Sequence, residues 1–146
     1  MILIAHRGNL NGPFPEKENH PNYIDFAISQ GFDVEIDLWM IDGLLYLGHD
    51  KPQYKISESY LYNFKYWIHA KNINAARFLI EYKSLNWFFH DKDDCVLTSN
   101  GFLWTYPGKQ ITNKSIAVMP EMTADWDINN AYGICSDFIN KSACHI

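Results

Sequence analysis

No apolar run in this chain reaches the roughly 20 residues needed to cross a bilayer, and no row of lysines or arginines offers a footprint for a phosphate backbone. A membrane-spanning helix and a nucleic-acid partner are therefore both excluded as expectations. The opening Met1-Ile2-Leu3-Ile4-Ala5 runs straight into His6-Arg7, without a basic lead or a cleavage site, and reads as a strand rather than a signal. Cysteine is scarce. Cys95, Cys135 and Cys144 are widely spaced with no C-x-x-C pair, which argues against a disulfide framework or a zinc knuckle and for a reducing, cytoplasmic setting. Internal repeats, low-complexity segments and Pro- or Ser-rich linkers are absent too, so residues 1–146 read as one continuous domain. What is present is 47% hydrophobic residues, with aromatic residues making up 16% of the whole chain, enough for a real core. The net charge of −5, from 12 basic and 17 acidic residues, leaves room for a small anion held by two or three local cations.

Short apolar runs alternate with amphipathic ones, the pattern of parallel strands joined by crossover helices, so the expected class is α/β. Strands are expected over 2–7, 33–38, 66–71, 86–90, 95–98, 115–119 and 132–136. Pro21 opens a helix in which Tyr23, Phe26, Ala27 and Gln30 share a face, and Gly31 ends it. Asn72 or Asn74 caps a second helix that runs by its spacing to Leu85, and a weaker one spans Ser57 to Phe64. Asn100-Gly101 and Asp42-Gly43 each read as a hairpin turn.

The first third of the chain carries the chemistry. Ile4-Ala5-His6-Arg7-Gly8 ends one apolar run, Val34-Glu35-Ile36-Asp37-Leu38 forms the next, and Gly48-His49-Asp50 follows closely. Charges at strand ends cost several kcal/mol each when desolvated, unless they are paired or bound to metal, so they mark a site. Residues two apart in a strand share a face, which puts Glu35 beside Asp37 and His69 beside Lys71. Adjacent carboxylates either split their pKa values or hold a divalent cation between them, and hard oxygen ligands suit magnesium or calcium.

The motifs His6-Arg7-Gly8, Pro15, Glu18-Asn19, Gly31 to Leu38, Asp42-Gly43 and His49-Asp50 resemble, in order and spacing, the signature of the glycerophosphodiester phosphodiesterases. The likeness covers Met1 to Asp50 and extends to Ile68-His69-Ala70-Lys71, similar to that family's Glu-x-Lys, and to Tyr132 to Asp137, similar to its closing Thr-Asp strand. Between Asp91 and Ala131 there is no residue-by-residue match. The resemblance implies a TIM-type barrel with a divalent metal at its C-terminal face, hydrolysing a small-molecule phosphodiester to glycerol 3-phosphate and an alcohol. By position, Glu35 and Asp37 become metal ligands, His6 and His49 the acid and base, and Arg7 and Lys71 the holders of the phosphate oxygens.

The sequence departs from the family pattern in two ways. The third carboxylate ligand falls at His69, so either His69 ligates, shifting preference toward manganese or zinc, or another acid such as Glu121 replaces it. A (β/α)₈ barrel also usually takes about 250 residues. The expectation is therefore a compact barrel with several helices shortened or missing and a shallow, aromatic-lined pocket to which Trp39 and Trp104 contribute. Two other readings stand beside the enzyme. In a metal-independent relative, resembling the bacterial phosphatidylinositol-cleaving phospholipases, an arginine takes the metal's place, against which the Glu35 and Asp37 pair argues. In a catalytically degenerate barrel, a phosphorylated ligand or a protein partner is bound without turnover. Taken locally, Trp87, Phe88, Phe89, Trp104 and Tyr106 read as core, His90 in its charge run as a solvated loop, and Glu18, His20 and His145 as surface or capping groups.

Overall fold

The computed structural model describes residues 1–90 and 92–143; of the residues read above, Asp91, Cys144 and His145 lie outside them. The elements run β1 (Ile2–His6), α1 (Pro21–Ser29), β2 (Asp33–Ile41), β3 (Leu44–Leu47), β4 (Tyr54–Ile56), β5 (Tyr66–Ala70), α2 (Ile73–Ile80), β6 (Trp87–Phe89), β7 (Cys95–Leu97), β8 (Leu103–Thr105), β9 (Ser115–Val118), β10 (Gly133–Ser136) and α3 (Ile139–Ala143). All ten strands join one sheet. Its parallel part has the spatial order β6-β5-β2-β1-β10-β9-β8. The hairpin β3-β4 adds to β2, and β7 adds to β8, both antiparallel.

The expected compact TIM-type barrel is not what forms. The molecule is mostly a curled mixed sheet, a half-barrel with three short helices among the described residues, and β and α do not alternate around it. Only α1 and α2 separate consecutive parallel strands. In the second half the connections are loops such as 106–114 and 119–132, interrupted by Pro107, Gly108 and Pro120, with a single 3-10 turn at Pro120–Met122 and no α-helix.

The curl follows from side-chain period. Ile4, Trp67, Phe88, Trp104, Ile116 and Cys135 form one buried cluster on the concave face. Phe88 on β6 stacks on Trp104 of β8 at 4.8 Å, and Trp67 on β5 lies 5.8 Å from the same ring, so strands distant in the sheet order meet across the interior. Ser99 N also donates to Trp87 O at 2.8 Å. The intervening residues Ala5, Val34, Ile36, Leu38, Ile68, Ala70 and Ile134 face the other way and form the larger core with Ile24, Ala27, Ala75, Ala76 and Leu79 of the helices.

Locally, α1 buries Ile24 and Ala27 while Phe26 stays 54% exposed, so its inward face is turned from the one expected. His20 caps α1 by accepting from Asn22 N, as a local capping group should. Asn72 caps α2, accepting from Ala75 N at 3.0 Å. That helix stops at Ile80, because the chain turns through Tyr82 while Leu85 still packs into the same core and prolongs the apolar spacing. The segment 57–64 yields only a single 3-10 turn, Glu58–Leu61. Both hairpins form, with Asp42 and Gly43 at φ 49° and 75° and Gly101 at 83°. Of the aromatic residues expected in the core, Phe88 and Trp104 are buried, whereas Phe89 is exposed and Trp87 and Tyr106 are half-buried.

Candidate functional site

On the concave face, at the C-terminal ends of β1, β5, β6, β8 and β10, an apolar inward residue is followed two positions on by a polar one. His6 follows Ile4, His69 follows Trp67, His90 follows Phe88, Tyr106 follows Trp104 and Asp137 follows Cys135. A period of two thus stacks a ring of titratable groups on an aromatic floor at the C-terminal ends of the parallel strands. Register brings the ring together: His6 lies opposite Glu35, and Asp37 opposite His69.

Asp37 is the hub. Its Oδ2 lies 3.2 Å from Arg7 Nε and 3.3 Å from His49 Nδ1, and it accepts from Asn19 Nδ2 at 2.9 Å. Its Oδ1 lies 3.1 Å from His69 Nδ1 and 3.6 Å from Lys71 Nζ. Asn19 holds this arrangement through the backbone as well, since its Oδ1 accepts from Asp37 N at 2.9 Å. It fills the one stretch of the β2 edge left open between β1, which pairs as far as Glu35, and β3, which begins at Leu38. Desolvation opposes the Asp37 charge, but the close His49 and His69 imidazoles and the Arg7 guanidinium hold its pKa well below the usual carboxylate range. Glu35 goes the other way: burial, reinforced by the Asp37 charge, raises it.

His6 is set by a second acid. Its Nδ1 is 2.8 Å from Asp137 Oδ1, and its Nε2 faces Glu35 Oε2 at 3.8 Å. Burial disfavours the imidazolium, yet the Asp137 hydrogen bond and the Glu35 charge outweigh it and raise the His6 pKa. Asp137 is lowered in return: desolvation opposes its charge, and the His6 bond and charge prevail. Fully buried Asn9 ties the ring's rim by donating to Asp137 Oδ1 at 2.8 Å and to Glu18 Oε1 at 2.9 Å. Glu18 also takes Arg7 Nη1 at 3.0 Å. Arg7 Nη2 donates to His49 Nε2 at 3.1 Å, which leaves the His49 Nδ1 proton for Asp37. Arg7, Asn19 and Met119 have positive φ of 54°, 62° and 48°, conformations that cost bulky residues energy and gather here around the site.

All seven residues expected at a site, His6, Arg7, Glu35, Asp37, His49, His69 and Lys71, are therefore brought together. Of the other candidates, Glu121 is engaged outside the Glu35, Asp37 and His69 cluster. Its Oε1 accepts from Ser136 Oγ and Asp137 N, bracing the turn after β10. Trp39 does not line a pocket but donates Nε1–H to Gly48 O at 2.6 Å, propping the His49 turn. Trp104 does border a 150 Å³ cavity, with Glu35, His69 and His90. Sequence reasoning missed Asn9, Asn19, Glu18, Asp137, His90 and Tyr106 as functional groups. For the last two and Asp137 the signal was available, since each lies two residues beyond a buried apolar side chain at a strand end. His90 stacks on His69 at 4.6 Å and is hydrogen-bonded through Nε2 to the Tyr106 hydroxyl. Burial, then the Glu35 charge, raises the Tyr106 pKa and keeps the phenol neutral.

Glu35, Asp37 and His69 each offer a ligand atom within 4.8 Å of the other two. Among the described residues, Glu35 Oε2 accepts no hydrogen bond, and Asp37 Oδ1 accepts no well-aligned one although both atoms are buried. Two orphaned carboxylate oxygens and an imidazole nitrogen fit a divalent cation of the manganese or magnesium kind. No family model, no curated protein and no solved structure matches this chain.

Proposed function

We propose that this protein is a metal-dependent phosphodiester hydrolase acting on glycerophosphodiester-like small molecules. The observation that carries the reading is the convergence of two acids, three imidazoles, a guanidinium and an ammonium on one concave mouth. Glu35, Asp37 and His69 would hold the cation, whose contribution when bound is Lewis-acid stabilisation of phosphoryl charge. Arg7 and Lys71 supply a planar fork and a point charge for the non-bridging oxygens.

The two remaining histidines differ in a way that assigns their roles. His49 Nδ1 lies against Asp37 Oδ2 and its Nε2 against Arg7 Nη2, so Arg7 turning onto a phosphate oxygen frees the Nε2 lone pair to take a proton, which is the role of the base. His6, raised by Asp137 and Glu35, is the acid. A substrate hydroxyl next to the ester gives its proton to His49 as its oxygen attacks phosphorus. The P–O bond to the alcohol breaks, and His6 protonates the departing oxygen. Water then opens the cyclic phosphate with the roles reversed, His6 taking its proton and His49 returning one, which yields glycerol 3-phosphate. The cytoplasmic setting expected from the scattered cysteines accords with this reading.

A second reading has one observation in its favour. Arg7 Nε and Lys71 Nζ already lie 3.2 and 3.6 Å from the Asp37 carboxylate, so its charge is balanced by the protein's own cations, as a binding module without a metal would need. One assay separates the two. Release of glycerol 3-phosphate from glycerophosphodiesters, measured with magnesium, calcium, manganese and zinc in turn, is expected with at least one ion, is lost on chelation, and falls about 100-fold or more in His49→Ala. No release with any of the four, together with retained phosphodiester binding, overturns the hydrolase and leaves the binding module.

A further inference from the structure

Beside the charged centre lies a larger cavity of about 620 Å³, and its two sides differ in character. It shares His6, Arg7, His49 and Tyr106 with the 150 Å³ cavity that borders Glu35 and His69, so it is the outer chamber of the same mouth. Val118 is common to both cavities as well, the rest of the apolar wall is Pro13, Pro15, Pro107, Met119 and Met122, and Gln53 also lines the chamber. Val118 ends β9, and Met119 N donates to Cys135 O of β10 at 2.7 Å, which places this apolar wall on the side of His6 and its partner Asp137. His49 and Lys71 stand across the mouth, on the side of β2 and β5.

Of the acids lining this chamber, Glu18 is committed to Arg7 and Asn9 and Asp137 to His6 and Asn9, while the Asp50 side chain is 94% exposed, so water screens its pull on a cationic group. A sugar would need a set of hydrogen-bonding partners or a broad aromatic platform; Gln53 is one such partner, but proline, valine and methionine make up most of the wall. Methionine adapts its shape to an apolar occupant, and Met122 is 70% exposed, an arrangement with no folding benefit of its own.

We propose that this chamber receives the alcohol side of the phosphodiester and that this alcohol is apolar, an alkyl ester rather than a cationic or sugar head group. The proposal rests on the hydrolase reading for its orientation, because the departing oxygen is the one beside His6. Its substance, an apolar subsite next to a phosphate anchor, is a statement about binding.

The test uses the full chain and a homologous series of glycerophosphate alkyl esters from methyl to hexyl, with glycerophosphocholine as the cationic comparison. Affinity by calorimetry is expected to rise by about two- to fourfold per methylene until the chamber is filled. Met122 is exposed, so Met122→Glu is expected to fold and to flatten that rise, while Met122→Leu keeps it. Affinity that stays level from methyl to hexyl, tighter binding of glycerophosphocholine than of the hexyl ester, or no binding by any member overturns the apolar subsite. Product release on the same series separates the two claims. A steep rise in affinity without turnover keeps the subsite and removes the hydrolase. Turnover with level affinity keeps the hydrolase and removes the subsite.

Discussion

A single carboxyl decides how His6 behaves. Asp137 fixes the imidazole's Nδ1 and, with Glu35, raises its pKa, while Asn9 fixes Asp137 in turn. Asp137→Asn is expected to leave Arg7 and Lys71 in place and, on the proposed mechanism, to lower kcat by about 100- to 10,000-fold with little change in KM, read from steady-state kinetics. An equal loss in KM and none in kcat would mean that Asp137 only shapes the pocket. The same pair predicts how stability varies with pH. An unfolded Asp titrates near 3.8, and the folded Asp137 lies below that, so its contribution is present above pH 3.8 and lost as pH falls through the folded value. His6 works in the opposite sense: raised above 6.5, its contribution is present below that pH and fades as pH rises through the folded value. Denaturation midpoints of wild type and Asp137→Asn should therefore differ most between these limits and converge as pH falls through the folded Asp137 value. The cluster of His6, Glu35 and Asp37 was legible in the sequence because alternation in strands fixes facing. The role of Asp137 was not, because its partner lies 131 residues away and only the pairing of β1 with β10 joins them.

At the scale of elements, the turn after β3 does the positioning. Gly48 has φ +150°, and a Cβ there would stand 2.1 Å from Lys51 O. Its N donates to Asp37 O at 3.1 Å and its carbonyl receives the Trp39 indole, so the residue before His49 is held on three sides. Gly48→Ala is expected to cost about 1–3 kcal/mol in chemical denaturation and to lower kcat/KM by moving His49. Unchanged stability with unchanged activity would show that the turn is softer than its geometry implies. Strand starts, the Asn72 cap and both hairpin turns could be read locally, because each depends on neighbours in sequence. The face of α1 could not, because Tyr23, Phe26 and Ala27 fit one helical stripe as well as Ile24 and Ala27 fit another, and only contact with the sheet selects between them.

For the molecule as a whole, the aromatic floor does the work that a full ring of helices would otherwise do. Phe88 touches His69, Trp104 and His90 and is almost fully buried, so it ties β5, β6 and β8 around the interior. Phe88→Ala is expected to destabilise by about 3–5 kcal/mol and to loosen the mouth above it, checked by denaturation together with activity. A loss below about 1 kcal/mol would mean that the sheet's curl is held by its hydrogen bonds alone. The expected barrel was wrong for a reason visible in this layout: strand periodicity repeats through the chain, but periodicity alone does not say whether the connection between two strands is a helix or a loop. The central claim, that Glu35, Asp37 and His69 hold one divalent ion in this curled sheet, is tested most directly by titrating manganese into the full chain by calorimetry, wild type beside Glu35→Gln. The account predicts one site per chain in the wild type and at least a 10-fold weaker one in the variant. No binding by the wild type, or equal binding by both, would contradict it.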